Sequence, residues 1–314
     1  MTGLLALLLV GGAVFFVRTR GISRARETVG ARLTPGPDGI VAGASPIDLP
    51  ADGRYGLLLL HGFGDTPQTL QYLADHMHAQ GWGVHAPLLP GHGRSLDEFA
   101  ASRADQWVDF AREELAALRA RYESVAIIGL SMGGAIATIL AGDARDVRAI
   151  ALLAPYLSMP TTLRRAAGSY RILGVLFPFL RGGGDRSIRD PIEAARNLAY
   201  GFATPRLAFE LRRVVDRARA AAPAVSVATL VVQSRQDNRI PPDAAERAFS
   251  LFRVPDRRLL WTEGNGHIVT VDYGRQVVFA AVSDWLETHV RRSDTVSSAP
   301  PHSVNPDYRE RTTG

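Results

Sequence analysis

The sequence predicts an α/β protein: a mostly parallel sheet with helices on both faces and an inserted cap. Three observations predict it. Short apolar runs without alternation, such as residues 57–60 and 147–153, read as strands buried on both faces. Segments with apolar residues at helical spacing separate these runs, which makes the connections right-handed crossovers between parallel strands. At the centre, residues 125–135 read as a strand, a sharp turn and a helix joined through Gly129-Leu130-Ser131-Met132-Gly133.

Composition narrows the class. A chain of 314 residues with 46% hydrophobic and 21% charged residues can bury a core as one large domain, or at most two. The net charge is +5, yet all 36 basic residues are arginine and they are scattered among acids. No basic run is interleaved with aromatics, so nucleic acid is not an expected partner. The absence of cysteine removes disulfides, thiolate metal sites, cysteine nucleophiles and lipid attachment near the N-terminus.

The elements follow in order. Residues 4–17 are an uninterrupted apolar and glycine run, followed by Arg18, Arg20, Arg24 and Arg26. A secretory signal places positive charge before its apolar core, whereas here the charge comes after. Residues 1–20 are therefore expected to be a membrane anchor, with the folded domain on the cytoplasmic side; an export signal is the alternative. Residues 21–52, with Thr-Pro-Gly-Pro-Asp-Gly and Ala-Ser-Pro, read as a linker. The main domain is expected over 53–292. Its first strand, 57–60, runs into His61-Gly62-Phe63-Gly64, and Leu70, Leu73, Ala74 and Met77 continue at helical spacing. A strand over 84–86 ends in Pro90-Gly91-His92-Gly93-Arg94-Ser95, and a helix is expected over 105–121. After the central turn, 147–153 is another strand. Residues 156–225 break the alternation, with helical stretches, an apolar patch at 172–180 and many arginines, and are expected to form the cap. Alternation resumes with a strand at 229–232, a helix at 242–252, a strand at 258–261 and a helix at 274–290. The polar remainder, 293–314, reads as a disordered tail.

A serine at the tip of a strand-turn-helix is held in a strained backbone conformation, so small residues must flank it two positions either side. Its hydroxyl then stands above a helix N-terminus, whose unpaired N–H groups and partial positive charge favour a developing oxyanion. A serine hydroxyl needs a general base, and the base needs an orienting acid. In open α/β sheets such groups gather at the carboxyl ends of strands. Of eight histidines, His76, His78 and His289 fall in helices, His85 in a strand and His302 in the tail, while His61 and His92 precede the serine. His267 alone lies in a loop just after a late strand. Asp237 follows the strand at 229–232 and is the expected acid, with Glu263 and Asp272 as rivals. The oxyanion donors expected are the backbone N–H of Met132 and, from the loop after the first body strand, that of Phe63.

The order Ser131, Asp237, His267 is that of the α/β-hydrolases. Together with Leu-Leu-Leu-His-Gly-Phe-Gly-Asp-Thr-Pro-Gln, Pro-Gly-His-Gly-Arg-Ser and Gly-Leu-Ser-Met-Gly-Gly-Ala, it makes the chain resemble serine esterases of the bacterial carboxylesterase and monoacylglycerol lipase type over residues 55–290. The resemblance implies a Ser/His/Asp esterase with a compact cap, acting on acyl esters or monoglycerides without metal or cofactor. In that reading Ser131 is the nucleophile, His267 the base, Asp237 its orienter, and Phe63 and Met132 the oxyanion hole. Residues 90–95 are then structural, at the pocket rim. The alternative within enzymes is another Ser-triad hydrolase on the same scaffold, a thioesterase, lysophospholipase or carbon–carbon bond hydrolase, and a catalytically silent binding protein on this fold is the reading from another class. The N-terminal apolar segment, the polar tail and the arginine-rich cap depart from the soluble members.

Overall fold

The computed structural model describes residues 2–143, 146–182 and 187–292. Its first half runs α1 (Thr2–Gly30), β1 (Ile47–Leu49), β2 (Tyr55–Leu60), α2 (Gln71–Ala79), β3 (Gly83–Ala86), α3 (Leu96–Ala101), α4 (Ala104–Arg121), β4 (Ser124–Leu130), α5 (Met132–Asp143) and β5 (Val147–Leu153). Short elements follow: α6 (Thr161–Gly168), α7 (Tyr170–Leu176), β6 (Leu180–Arg181), α8 (Pro191–Arg196) and β7 (Phe202–Ala203), then the longer α9 (Pro205–Ala221). β8 (Ala228–Ser234), α10 (Pro242–Phe249), β9 (Arg257–Thr262) and α11 (Arg275–Leu286) complete the order.

Seven strands form one sheet in the order β1-β3-β2-β4-β5-β8-β9. Only β1 is antiparallel; every other pairing is parallel. Apolar runs without alternation are what such a sheet requires, because both of its faces are covered. Leu58, Leu60, Ile127, Ile150 and Leu152 pack with Trp107, Ile136 and Leu207 from α4, α5 and α9. The alternate residues Leu57, Leu59, Ile128, Ala151 and Leu153 pack with Leu73, Met77, Phe279 and Trp285 from α2 and α11. The register pairs Leu60 with Gly129, Leu130 with Leu153, Leu153 with Val232 and Ser234 with Thr262. Strands β2, β4, β5, β8 and β9 therefore end along one edge, and the loops that leave them emerge together.

Between β5 and β8, α9 carries the weight of the packing. Its buried positions Leu207, Leu211, Val214, Val215 and Ala218 recur at helical spacing and face α5 and α6. Tyr200, just before it, ties this region to the loop before α3. Its hydroxyl donates to Arg94 O at 2.9 Å and accepts from Arg94 N at 3.0 Å, while its ring stacks on Phe99 at 4.6 Å. The two-stranded β6–β7 ribbon is antiparallel.

The N-terminal region departs from expectation. Among the described residues no helix is long and apolar enough to cross a membrane; the side chains of residues 4–8 and 10, within the anchor expected through 4–17, lie outside that description. The apolar run stops at Val17, and α1 continues unbroken through Arg18, Arg20, Arg24 and Arg26 to Gly30. That second half belongs to the body. Ala25 and Val29 are buried, and Arg26 pairs with Asp97 at 3.0 Å. The expected linker at 21–52 is likewise structured: Leu33, Val41 and Ala44 join the core and β1 extends the sheet. Proline and glycine in this stretch mark turns that carry the chain across the body. The expected tail at 293–314 lies outside the described residues.

Phe99 is fully buried among Phe63, His92 and Tyr200. Truncating it in Phe99→Ala should lower unfolding free energy by about 3–5 kcal/mol, read from urea denaturation.

Candidate active site

The site begins with a steric constraint at the end of β4. Ser131 has φ +53°, the left-handed region that a residue with a Cβ rarely adopts. The turn can close only because its neighbours lack side chains. A Cβ at Gly129 would overlap the backbone of Gly133, and one at Gly133 would overlap Leu60 O. The strained serine is pinned by its own backbone: its N–H donates to Leu153 O at 2.9 Å, and its carbonyl accepts from Tyr156 N at 2.9 Å.

Over this turn the structure brings together the three side chains expected from sequence. His267 Nε2 lies 2.8 Å from Ser131 Oγ, and His267 Nδ1 lies 2.8 Å from Asp237 Oδ2. All three residues are buried. A carboxylate can only accept, so Nδ1 carries the proton and Nε2 is left to accept from the serine hydroxyl. The arrangement can move a proton from Ser131 Oγ to the imidazole while the oxygen attacks an electrophile.

Asp237 is a buried acid with unusually full hydrogen bonding. Oδ2 also accepts from Gln233 Nε2 at 2.7 Å, and Oδ1 accepts from Arg239 N at 2.7 Å and Ile240 N at 3.0 Å. Burial pushes this carboxyl up. The His267 charge and hydrogen bond, with the two amides, reverse that and hold it below the ordinary carboxylate value. It is therefore ionised at neutral pH.

The rival acids stand elsewhere. Glu263 is exposed, 3.8 Å from Arg235 Nε. Asp272 is fully buried but serves the loop rather than the imidazole. Its carboxylate accepts from Gly266 N at 2.6 Å, Arg189 N at 2.8 Å, Asp190 N at 2.9 Å and Tyr273 N at 2.8 Å. It thus ties the His267 loop to the segment entering α8, and Ile268 N adds a bond to Ser187 O at 2.9 Å. From β8, Ser234 Oγ donates to Asn265 O at 2.6 Å. Gln233 and Asp272 position the site in ways the sequence did not indicate. Gln233 reads as one more residue of a buried strand, and the partners of Asp272 lie as far as 83 residues away.

The loop after β2 lies directly against the serine. A Cβ at Gly62 would stand 3.4 Å from Ser131 Cβ. Phe63 follows in that loop, and its N–H donates to no main-chain carbonyl among the described loop and turn bonds. Met132 opens α5, where the first amides have no intrahelical acceptor. Beneath Phe63 lies an aromatic cluster of His92, Phe99 and Trp107. His61 Nε2 accepts from Leu89 N at 3.1 Å, and its Nδ1–H donates to Gly62 O at 2.9 Å. Burial lowers His61 to about 4 and His92 well below the ordinary histidine value. Both are neutral braces for the loops at 61–64 and 90–95. No cluster of three or more His, Asp or Glu suited to a metal occurs among the described residues.

With this geometry in view, known proteins resemble the chain over the same region. The profile of the Hydrolase_4 family, described as serine aminopeptidase, S33, matches residues 53–273. A thermostable monoacylglycerol lipase from Bacillus sp. (strain H-257) is 24% identical over 250 residues, spanning 80% of this chain and 97% of that one. A carboxylesterase from Bacillus subtilis (strain 168) is 26% identical over 239 residues, spanning 75% and 93%. Among solved structures, a metagenome-derived lipolytic enzyme superposes with TM-score 0.72 at 27% identity, covering 80% of this chain and all of its own.

Asp65, at the end of the 61–65 loop, gives the site a pH signature. Burial raises its carboxyl from 3.8 to about 7, against the lowering effects of Thr66, Thr69 and His267. The folded chain then binds more protons than the unfolded chain between those values, so Asp65 makes stability fall as pH rises through that window. Asp65→Asn removes the titration and can still accept from Thr66 N. Its stability relative to the parent should rise between about pH 5 and pH 8, read from urea midpoints at the two values.

Proposed function

The chain belongs to the Hydrolase_4 family of serine aminopeptidase S33 description, and from that premise we propose a carboxylic ester hydrolase that works through an acyl-enzyme on Ser131. One observation carries the reading: an unbroken relay from Ser131 through His267 to Asp237, 2.8 Å at each link, built on a serine whose φ is +53°. Strain of this kind is costly, and here it exposes one hydroxyl to one imidazole.

In the proposed reaction, Ser131 Oγ attacks the ester carbonyl carbon and His267 Nε2 takes the hydroxyl proton. Asp237 holds the imidazole in the tautomer that allows this and stabilises the imidazolium. The carbonyl oxygen becomes an oxyanion, for which the N–H groups of Phe63 and Met132 are the proposed donors. The tetrahedral adduct collapses as the bond to the leaving alcohol breaks, and that alcohol takes the proton from Nε2. Water then adds to the acyl-enzyme by the same route, its proton passing to His267, and the acid and free Ser131 are regenerated.

An ester is favoured over a peptide because the relatives that span most of this chain are a monoacylglycerol lipase and a carboxylesterase. The proposed substrates are therefore small acyl esters or monoglycerides, with residues 156–225 as the cap bounding the acyl site. Tyr156, at the start of that segment, is half-buried, and its hydroxyl is raised first by burial.

Turnover of p-nitrophenyl esters from acetate to palmitate, of a monoacylglycerol and of an aminoacyl p-nitroanilide should show hydrolysis of the esters. Ser131→Ala should lower kcat by about 10⁶-fold with an unchanged unfolding midpoint. Asp237→Asn should cost about 10⁴-fold, because it favours the wrong imidazole tautomer. Near-normal turnover in Ser131→Ala, or cleavage of the anilide alone, overturns the proposal.

A further inference from the structure

The middle of α1 and α7 with its exit leave large apolar side chains in solvent. On α1, Phe15 is 68% and Phe16 57% exposed; at α7 and its exit, Ile172 is 71%, Val175 53% and Phe177 50% exposed. None of the residues of α7 is buried. Scattered single exposures are ordinary, but large apolar residues clustered on adjoining elements mark a binding surface. The two helices do adjoin. Arg18 Nη1 donates to Gly174 O, and Gly21 faces Pro178, which a Cβ there would meet at 3.6 Å.

The charge on the two facing segments is positive, with Glu27 and Asp97 the acids at its edge. Residues 2–26 contain Arg18, Arg20, Arg24 and Arg26 and no acid; residues 161–182 contain Arg164, Arg165, Arg171 and Arg181 and no acid. Arg26 and Arg164 are engaged by Asp97 and Asp216. Arg20, Arg24, Arg165, Arg171 and Arg181 are exposed. Arg20 and Arg171 lie over the rings of Phe16 and Tyr170, so their stems follow the apolar surface while the guanidinium stays at its rim. A groove of about 320 Å³ opens behind this rim, between α1, α3, α7 and the start of α9, with Arg18, Arg206 and the paired Arg26 and Asp97 among its lining residues.

We propose that α1 and α7 together form a monotopic docking face for an anionic lipid bilayer, lying in the plane of the headgroups rather than crossing the membrane. Apolar side chains buried at the headgroup boundary, ringed by arginines that meet lipid phosphates, are the two requirements for such binding. A second copy of this chain would instead bring two arginine rims into apposition, which like-charge repulsion opposes. The proposal is independent of which ester the chain cleaves.

The experiment is vesicle flotation of the full chain with phosphatidylcholine alone and with phosphatidylcholine containing phosphatidylglycerol. At least about tenfold stronger binding to the anionic vesicles is expected, with release near 1 M salt, where the screening length is about 3 Å. Ile172→Asp with Phe177→Asp, and separately Phe15→Asp with Phe16→Asp, should each weaken binding at least about tenfold. Both should keep the parent's thermal midpoint, and the α1 pair should also keep its turnover of a soluble short-chain ester. Arg20→Gln with Arg24→Gln should weaken binding to the anionic vesicles only. Equal binding to both vesicles, or unweakened binding by both folded apolar variants, overturns the proposal. Retention that resists salt and yields only to detergent also overturns it, in favour of insertion. A dimer in light scattering that either aspartate pair converts to monomer overturns it in favour of a second copy as the occupant.

Discussion

Everything at the site depends on the close contact between the end of β4 and the start of α5. The helix approaches the strand so nearly that a Cβ at Gly129 would overlap Gly133, and one at Gly133 would overlap Leu60 O of the neighbouring β2. That approach forces Ser131 to φ +53° and lifts its side chain off the sheet. The strain is local, but its support is not. Leu153 from β5 and Tyr156 beyond it hold the serine backbone on both sides, and Ala154, itself at φ +43°, is bonded in turn to Val232. Three neighbouring parallel strands thus share the task of holding one residue in an unfavourable conformation.

A second constraint is electrostatic. A carboxylate buried beneath the sheet edge is costly unless its lone pairs are satisfied. Asp237 meets that condition with Gln233, His267 and the amides of Arg239 and Ile240, so it stays ionised where burial alone would neutralise it. His61 and His92 show the opposite outcome. They are equally buried without a carboxylate partner, and burial keeps them neutral. Chemically similar rings therefore divide into one bonded between Ser131 Oγ and the Asp237 carboxylate and two that brace loops.

The His267 loop owes its position to contacts from across the chain. Asp272 and Ser187 O bind it to the segment before α8, Ser234 binds it to β8, and Thr270 Oγ1 donates to Thr69 O at 2.5 Å. The region between β5 and β8 is consequently not a detached lid. It shares buried hydrogen bonds with the loop that carries the imidazole, and through Tyr200 it is tied to the aromatic cluster under Phe63.

Much of this was legible in the chain itself. Unbroken apolar runs announced strands covered on both faces, because a side chain in such a strand has no solvent side to turn to. Small residues on either side of Ser131 announced the turn, since a larger one would collide. The convergence of Ser131, Asp237 and His267, which follow β4, β8 and β9, comes from the parallel topology, which sends the ends of these strands to one edge. Other features needed the folded molecule. Sequence placed Glu263 and Asp272 beside Asp237 as rivals, and only distance separates an acid 2.8 Å from an imidazole from one that binds four amides. Gln233 drew no notice because its partner is defined by a turn, not by a pattern. The N-terminus shows the reason most clearly. Residues 21–52 read as a linker from their prolines and glycines, but whether such a stretch packs depends on what its turns touch. Here those turns carry Ala25 and Val29 into the core. Local periodicity determines which elements form; which surfaces they cover is decided by contacts between residues far apart in sequence.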